Sequence, residues 1–281
     1  MPVVATVSPR LLPLLLGVAL LPACKPARPP SPAPSAPAMA TPTPPPAGVP
    51  GDPVELKDVI ETTPSYIVGI SYPQAALKYP TLALALRTYA DSAQDQLMQA
   101  VGALKGHKPD VPYDLSLDVT LPVETPRVVV AKAEGSTYLG GAHGLPLVER
   151  FVWLPQLQQM LAAEQLIPEA GHWVPVAAYV REQLVTRLSG RLDDGGLEGD
   201  ARATALREGM AMIDGGISPG PKNFSVLEPV MNADGSIRSI RFVFPPSRVG
   251  PYSDGTQVVE VPAKVLLPLV APAYQPLFRA G

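Results

Sequence analysis

Proline decides where this chain can fold. Twelve of the 29 residues from Lys25 to Pro53 are proline, and alanine, serine and threonine fill most of the rest. Such a stretch has too little apolar surface to offset the entropy of ordering it. A hydrophobic core must therefore come from the 228 residues after Pro53, enough for one large domain or two small ones. As polyproline II, at about 3.1 Å per residue, the stretch becomes a semi-rigid spacer of up to roughly 90 Å. A proline-rich docking ligand is the alternative reading.

Ahead of it lies the pattern of an export signal: Arg10 as the one basic residue, the apolar run Leu11 to Leu21, and a small residue, Ala23, at the expected cleavage site. The apolar run spans eleven residues and is interrupted by Pro13 and Gly17. Crossing the hydrocarbon takes roughly 20 helical residues, so a cleaved leader is expected rather than a permanent span. Leu21-Pro22-Ala23-Cys24 resembles the bacterial lipobox, with Pro22 in place of its commoner residues. The resemblance implies a diacylglyceryl thioether on Cys24 and a further acyl chain on the freed amine; two or more chains hold a protein stably on a membrane. Lys25 rather than aspartate follows Cys24, which in lipoproteins of two-membrane bacteria implies the outer membrane, facing the periplasm. The alternative is an ordinary secreted protein with an incidental cysteine.

Cys24 is the only cysteine, so no intrachain disulfide can form and the fold rests on its core despite the oxidising compartment that export implies. Cleavage after Ala23 removes Arg10 and no acid, leaving 21 of the 22 Lys and Arg against 25 Asp and Glu, a net charge of −4. That mild acidity gives no support to nucleic-acid binding, which calls for a basic face.

Beyond the spacer, periodicity assigns the elements. Tyr66 to Tyr72, rich in aromatic and β-branched residues between Pro64 and Pro73, predicts a strand. Leu82, Leu86, Tyr89, Ala93, Leu97, Val101 and Leu104 recur every three or four residues, predicting a helix that stops at Gly106. Leu115, Leu117, Val119 and Leu121 alternate with Ser116, Asp118 and Thr120, a strand with one wet face. Runs from Val128 toward Tyr138 and from Leu147 to Trp153 flank a glycine-rich turn and are expected to pair antiparallel. A second amphipathic helix carries Ala177, Val180, Leu184 and Leu188, and a weaker one spans Ala201 to Ile213. Phe224 to Met231 and Ile237 to Phe244 flank Asp234-Gly235, a hairpin signal, and Val258 to Val261 supplies a last strand before Pro262. Strands and helices cluster rather than alternate strictly, so an α+β architecture with mainly antiparallel sheet and two or three packed helices is expected.

Two loops carry unusual chemistry. Gly140-Gly141-Ala142-His143-Gly144 sets three glycines around one histidine, permitting positive φ and close approach of a backbone or ligand. Gly250-Pro251-Tyr252-Ser253-Asp254-Gly255 offers an aromatic face, a hydroxyl and a carboxylate on a turn. Thr137 to Gly144, followed by Phe242-Val243-Phe244, Gly250 to Gly255 and Val259-Glu260-Val261-Pro262, resembles the domain shared by RsiV-type anti-sigma factors, which also precedes the catalytic part of some polysaccharide deacetylases. Ile70-Ser71-Tyr72-Pro73 and the following helix resemble the smaller unit that often comes first in those proteins. The likeness spans residues 65 to about 270. It implies an extracytoplasmic α+β module, one that in the anti-sigma factors binds lysozyme. The chain is expected to depart from them in lacking a transmembrane helix and a cytoplasmic sigma-binding segment.

For catalysis, His143 is the one candidate base; fixing its own loop by hydrogen bonds is the plainer reading. His107, His143 and His172 form no HxxxH pair, so neither a metal nor a cofactor is expected. Asp193 and Asp194 resemble the paired aspartates of polysaccharide deacetylases, but no histidine pair follows. With Glu198 and Asp200 they read as a solvated loop lacking a cation, open to a basic partner such as lysozyme. Trp153 and Tyr252 are aromatic faces that can stack on sugars, core packing being the competing fate of Trp153.

The expected organisation is a signal peptide (1–23), a proline-rich tether (24–53), a smaller unit (54–135) and an RsiV-like domain (136–281). The expected function is a lipid-anchored envelope module that binds a lysozyme-like protein or a peptidoglycan-related ligand without catalysis. Gly140, Gly141, His143, Tyr252 and Asp254 would line the contact. A cell-wall glycan hydrolase or deacetylase is the rival reading, and a spacer lipoprotein without a specific ligand is a third.

Overall fold

The computed structural model describes residues 54–279. The signal peptide, Cys24 and the tether through Pro53 lie outside them. The fold is α+β, built on a six-stranded sheet and a three-stranded sheet.

Strands β1 (Val59–Thr62), β2 (Tyr66–Ser71), β3 (Tyr113–Glu124), β4 (Val129–Tyr138), β5 (Leu145–Leu154) and β6 (Gln159–Met160) form the larger sheet in sequence order. All neighbours pair antiparallel except β2 and β3, whose parallel pairing is made by a crossover through helix α1 (Pro80–Ala103). Pro80 opens α1 at a position whose N–H would have no helical partner. Beyond its end Gly106 takes φ +84°, a backbone that L side chains rarely adopt. The expected stripe packs largely as read: Leu82, Leu86, Ala93 and Leu97 are buried with Ala83 and Ala90, against Leu115, Leu117 and Val119 of β3.

The Val128-Val129-Val130 run has no polar alternation because both of its faces are covered. Val129, Ala131 and Ala133 join the core under α1, while Val128 and Val130 join a second core with Val152 and Leu154. That second core is completed by helices α2 (Ala163–Leu166), α3 (Trp173–Asp194) and α4 (Gly199–Gly216), by strands β7 (Leu227–Met231), β8 (Ile237–Phe244) and β9 (Gln257–Pro262), and by helix α5 (Ala263–Leu266). Its aromatic centre is Trp173, stacked on Phe224 at 5.3 Å, with Phe242 edge-on to Phe224 at 5.1 Å. A buried indole N–H usually finds a partner, and for Trp173 the Ile167 carbonyl accepts it at 3.0 Å.

β7, β8 and β9 form an antiparallel meander. The β7–β8 turn is the expected one: Gly235 has φ +78°, and the Asp234 carboxylate accepts the Ser236 N–H at 2.9 Å. Arg150, its side chain 3% exposed, ties the two sheets together. It donates from Nε to Glu228 of β7 at 2.8 Å, from Nη1 to the Glu149 carbonyl at 2.9 Å, and from Nη2 to Glu134 of β4. Arg241 of β8 carries the network on from Glu228 at 3.3 Å to Glu260 of β9 at 3.2 Å. Burial pushes the Glu134 carboxyl up, but Arg150 and Lys132 outweigh it and hold it below the usual range.

The structure differs from the sequence pattern at three places. β1 and β6 were not anticipated: β1 has Ile60 89% exposed, so no apolar alternation marks it, and β6 has two residues. The strand expected from Phe224 begins at Leu227, because Pro221–Phe224 makes a 3-10 turn. Residues 135 and 136, where the division between units was expected, both lie within β4, which is paired on each side.

Candidate functional site

The β4–β5 turn and the β8–β9 loop meet. Gly140 and Gly141 have φ values of +88° and +114°, and a Cβ on Gly140 would lie 3.2 Å from the Tyr113 hydroxyl. This is close approach of the kind glycine permits. The turn holds His143 against Tyr252, the rings stacked at 4.3 Å and inclined by 26°. Both side chains are exposed.

One carbonyl organises the pair. Gly144 O lies 3.0 Å from His143 Nδ1 and accepts from the Tyr252 hydroxyl at 3.1 Å. A carbonyl oxygen only accepts, so the neutral imidazole carries its hydrogen on Nδ1 and leaves Nε2 as an acceptor. Tyr138 donates to the Gly141 carbonyl at 3.2 Å, and its ring stands edge-on to Tyr113 at 6.3 Å. Tyr252 belongs to a 3-10 turn, Tyr252–Asp254, fixed from behind: Asp254 accepts from Arg191 of α3 at 2.8 Å.

Of the five expected contact residues, Gly140, Gly141, His143 and Tyr252 thus come together, and Asp254 is engaged by Arg191. Trp153 is 3% exposed and packs in the core under α1, where its Nε1 has no hydrogen-bond partner among the described residues. The acidic stretch differs from the expected loop. Asp193 and Asp194 form the last turn of α3, and Asp193 accepts from Arg202 of α4 at 2.8 Å, so a cation does meet it. His172 lies 3.1 Å from the Leu269 carbonyl through Nδ1 and 3.2 Å from Glu169 through Nε2. Among the described residues no group of three or more His, Cys, Asp or Glu side chains is placed to hold a metal ion, and no helix is long and apolar enough to cross a membrane.

Solved structures similar to this chain include those of two DUF3298 family proteins. One, from Bacteroides fragilis NCTC 9343, has a TM-score of 0.45 and 13% identity, covering 78% of this chain and 93% of that one. Another, from Pseudomonas aeruginosa PAO1, has a TM-score of 0.49 and 14% identity, covering 82% and 99%. No family model matches the chain, and no curated protein matches its sequence.

Tyr113, Tyr138 and Arg191 belong to the site without having been anticipated. Tyr138 adjoins the glycine turn in sequence, a usable signal; Tyr113 reaches it only through the pairing of Asp114 with Tyr138. Gly216-Ile217-Ser218-Pro219-Gly220 has the letters of a nucleophile elbow. An elbow needs a strand-to-helix turn, however, whereas this string leaves α4, and its Ser218 hydroxyl lies 3.4 Å from the Asp214 carbonyl.

Proposed function

We propose that this chain is a lipid-anchored module of the bacterial cell envelope. It binds a lysozyme-like protein or a peptidoglycan-related ligand through the His143–Tyr252 surface, without chemistry of its own. The observation that carries the reading is the meeting of Tyr252 with the Gly144 carbonyl across 108 residues of chain, which sets two exposed rings side by side on glycine-rich turns. Exposed aromatic groups on anchored loops are the usual material of a recognition surface. Resemblance to the RsiV-type domain favours a lysozyme-like partner, and the excess of acidic over basic residues suits a basic one. Cys24 supplies the anchor in this reading.

Binding of purified protein to lysozyme and to insoluble peptidoglycan tests it. At least one should bind, and His143→Ala and Tyr252→Ala should each weaken that binding roughly tenfold, the loss of one good contact, with circular dichroism unchanged. Binding untouched by both substitutions would move the site elsewhere. Release of sugar or acetate from peptidoglycan that His143→Ala abolishes would replace this reading with a hydrolase or deacetylase. Mass spectrometry of the protein from native membranes should find a diacylglyceryl thioether on Cys24.

A further inference from the structure

A second concave site lies at the far end of the larger sheet. Tyr66 pairs with Tyr113 and Asp114 with Tyr138, so the β4–β5 turn sits at the N-terminal end of β2; the second site adjoins the other end, beside Ile70 and Tyr72. There a half-open cavity of about 220 Å³ lies between the segment entering β1 and the side of α1. The entering segment is held in place: Leu56 is buried, its carbonyl accepts from Gln74 at 3.1 Å, and Asp58 accepts the Tyr72 N–H at 2.9 Å.

The polar lining is Glu55, Lys57, Tyr72, Arg87, Asp91 and Gln94, and Val59 and Ile70 supply the apolar part. Two carboxylates and two cations leave the lining without net charge. An anion drawn to Lys57 and Arg87 meets Glu55 and Asp91 as well, and a cation meets the reverse. Lys57 is already paired with Glu55 at 2.7 Å, while Arg87 Nε lies 3.4 Å from Asp91. The two Nη groups of Arg87, the Tyr72 hydroxyl and the Gln94 carboxamide have no hydrogen-bond partner among the described residues. Burial first, with Asp91 second, pushes the Tyr72 hydroxyl up to about 12, so it remains a donor throughout the physiological range.

Neutral hydroxyls suit such a lining because each both donates and accepts. Vicinal hydroxyls on a ring also match the fork of a guanidinium or a carboxylate. The volume is below the roughly 300–1,000 Å³ of a drug-sized site, which sets the size at a single ring. We propose that this cavity binds one ring of a neutral saccharide, whose hydroxyls donate to Glu55 and Asp91 and accept from Arg87, Tyr72 and Gln94. The site is separate from the His143–Tyr252 surface and stands without it.

NMR titration of the isotope-labelled full chain tests the proposal. The neutral probes are glucose, galactose and N-acetylglucosamine, with glycine as a zwitterion and acetate as an anion. At least one sugar should shift the Tyr72 ring and Gln94 side-chain signals saturably, with a dissociation constant on the order of millimolar. Arg87→Met and Gln94→Ala, both on the wet side of α1, should leave the remaining spectrum in place and weaken that sugar roughly tenfold. Saturable shifts with glycine or acetate and none with sugar would overturn the proposal. So would no saturable shift with any sugar, or sugar affinity unchanged in both variants.

Discussion

Gly135, inside β4, has no room for a methyl group. A Cβ there would lie 1.9 Å from the Ser116 carbonyl oxygen of β3, a backbone atom that cannot swing aside. Gly135→Ala should therefore cost about 3 kcal/mol, the upper part of the overpacking range, read from urea unfolding. Glu149, on β5, is perturbed in the opposite sense from the paired carboxylates. Burial pushes its carboxyl up, and the hydrogen bond from its Arg150 neighbour only partly offsets this. Because the folded value exceeds the unfolded one, stability is lost as pH rises from the ordinary carboxylate range through the raised value. Below that range both states are protonated and nothing is lost. Glu149→Gln keeps the acceptor for the Arg150 N–H, which Glu149 receives at 2.9 Å. It should raise the urea midpoint at pH 7 and leave it unchanged below pH about 4.

At the scale of elements, the joint between the sheets rests on Arg150. A buried ion pair contributes little net against apolar residues of the same volume, but removing one member strands the other. Glu228, 13% exposed at its side chain, would lose its nearest cation and keep Arg241 at 3.3 Å and Lys132 at 4.0 Å. Arg150→Met should cost about 3 kcal/mol, the lower end of the range for breaking a buried pair because Arg241 still faces Glu228, and adding Glu228→Gln should recover part of it, because the second change removes a carboxylate left with weaker pairing. A double variant no more stable than Arg150→Met would place the cost in lost packing of the guanidinium stem. α1 depends on no such charge: its buried face is wholly apolar, and its exposed face carries Arg87 and Asp91 one turn apart.

Across the whole molecule, the stack of His143 on Tyr252 couples loops that enter from different sheets. Aromatic pairs contribute about 0.5–1.5 kcal/mol beyond their area, and exposure keeps this one toward the low end. A double-mutant cycle with His143→Ala and Tyr252→Ala should therefore give a coupling of about 0.5–1 kcal/mol in unfolding free energy. Zero coupling would mean that the rings meet without stabilising each other, and the Gly144 carbonyl alone would hold the loops.

Much of the scaffold was legible along the chain. The stripe from Leu82 to Leu97, the alternation from Leu115 to Leu121 and the Asp234-Gly235 turn each lie within a window shorter than one element, and burial acts on that window directly. The two glycine-bearing loops were legible as loops for the same reason. What the chain by itself left open was every relation across distance: the parallel seating of β2 on β3, the short edges β1 and β6, Arg150 meeting Glu228 78 residues away, and His143 lying on Tyr252. Those depend on which strands become neighbours once the cores close, and no local period records that choice. The residue types and their local shape belong to the sequence; that two loops make one surface was decided only by the closing of the sheets, because only packing brings distant segments within bonding distance.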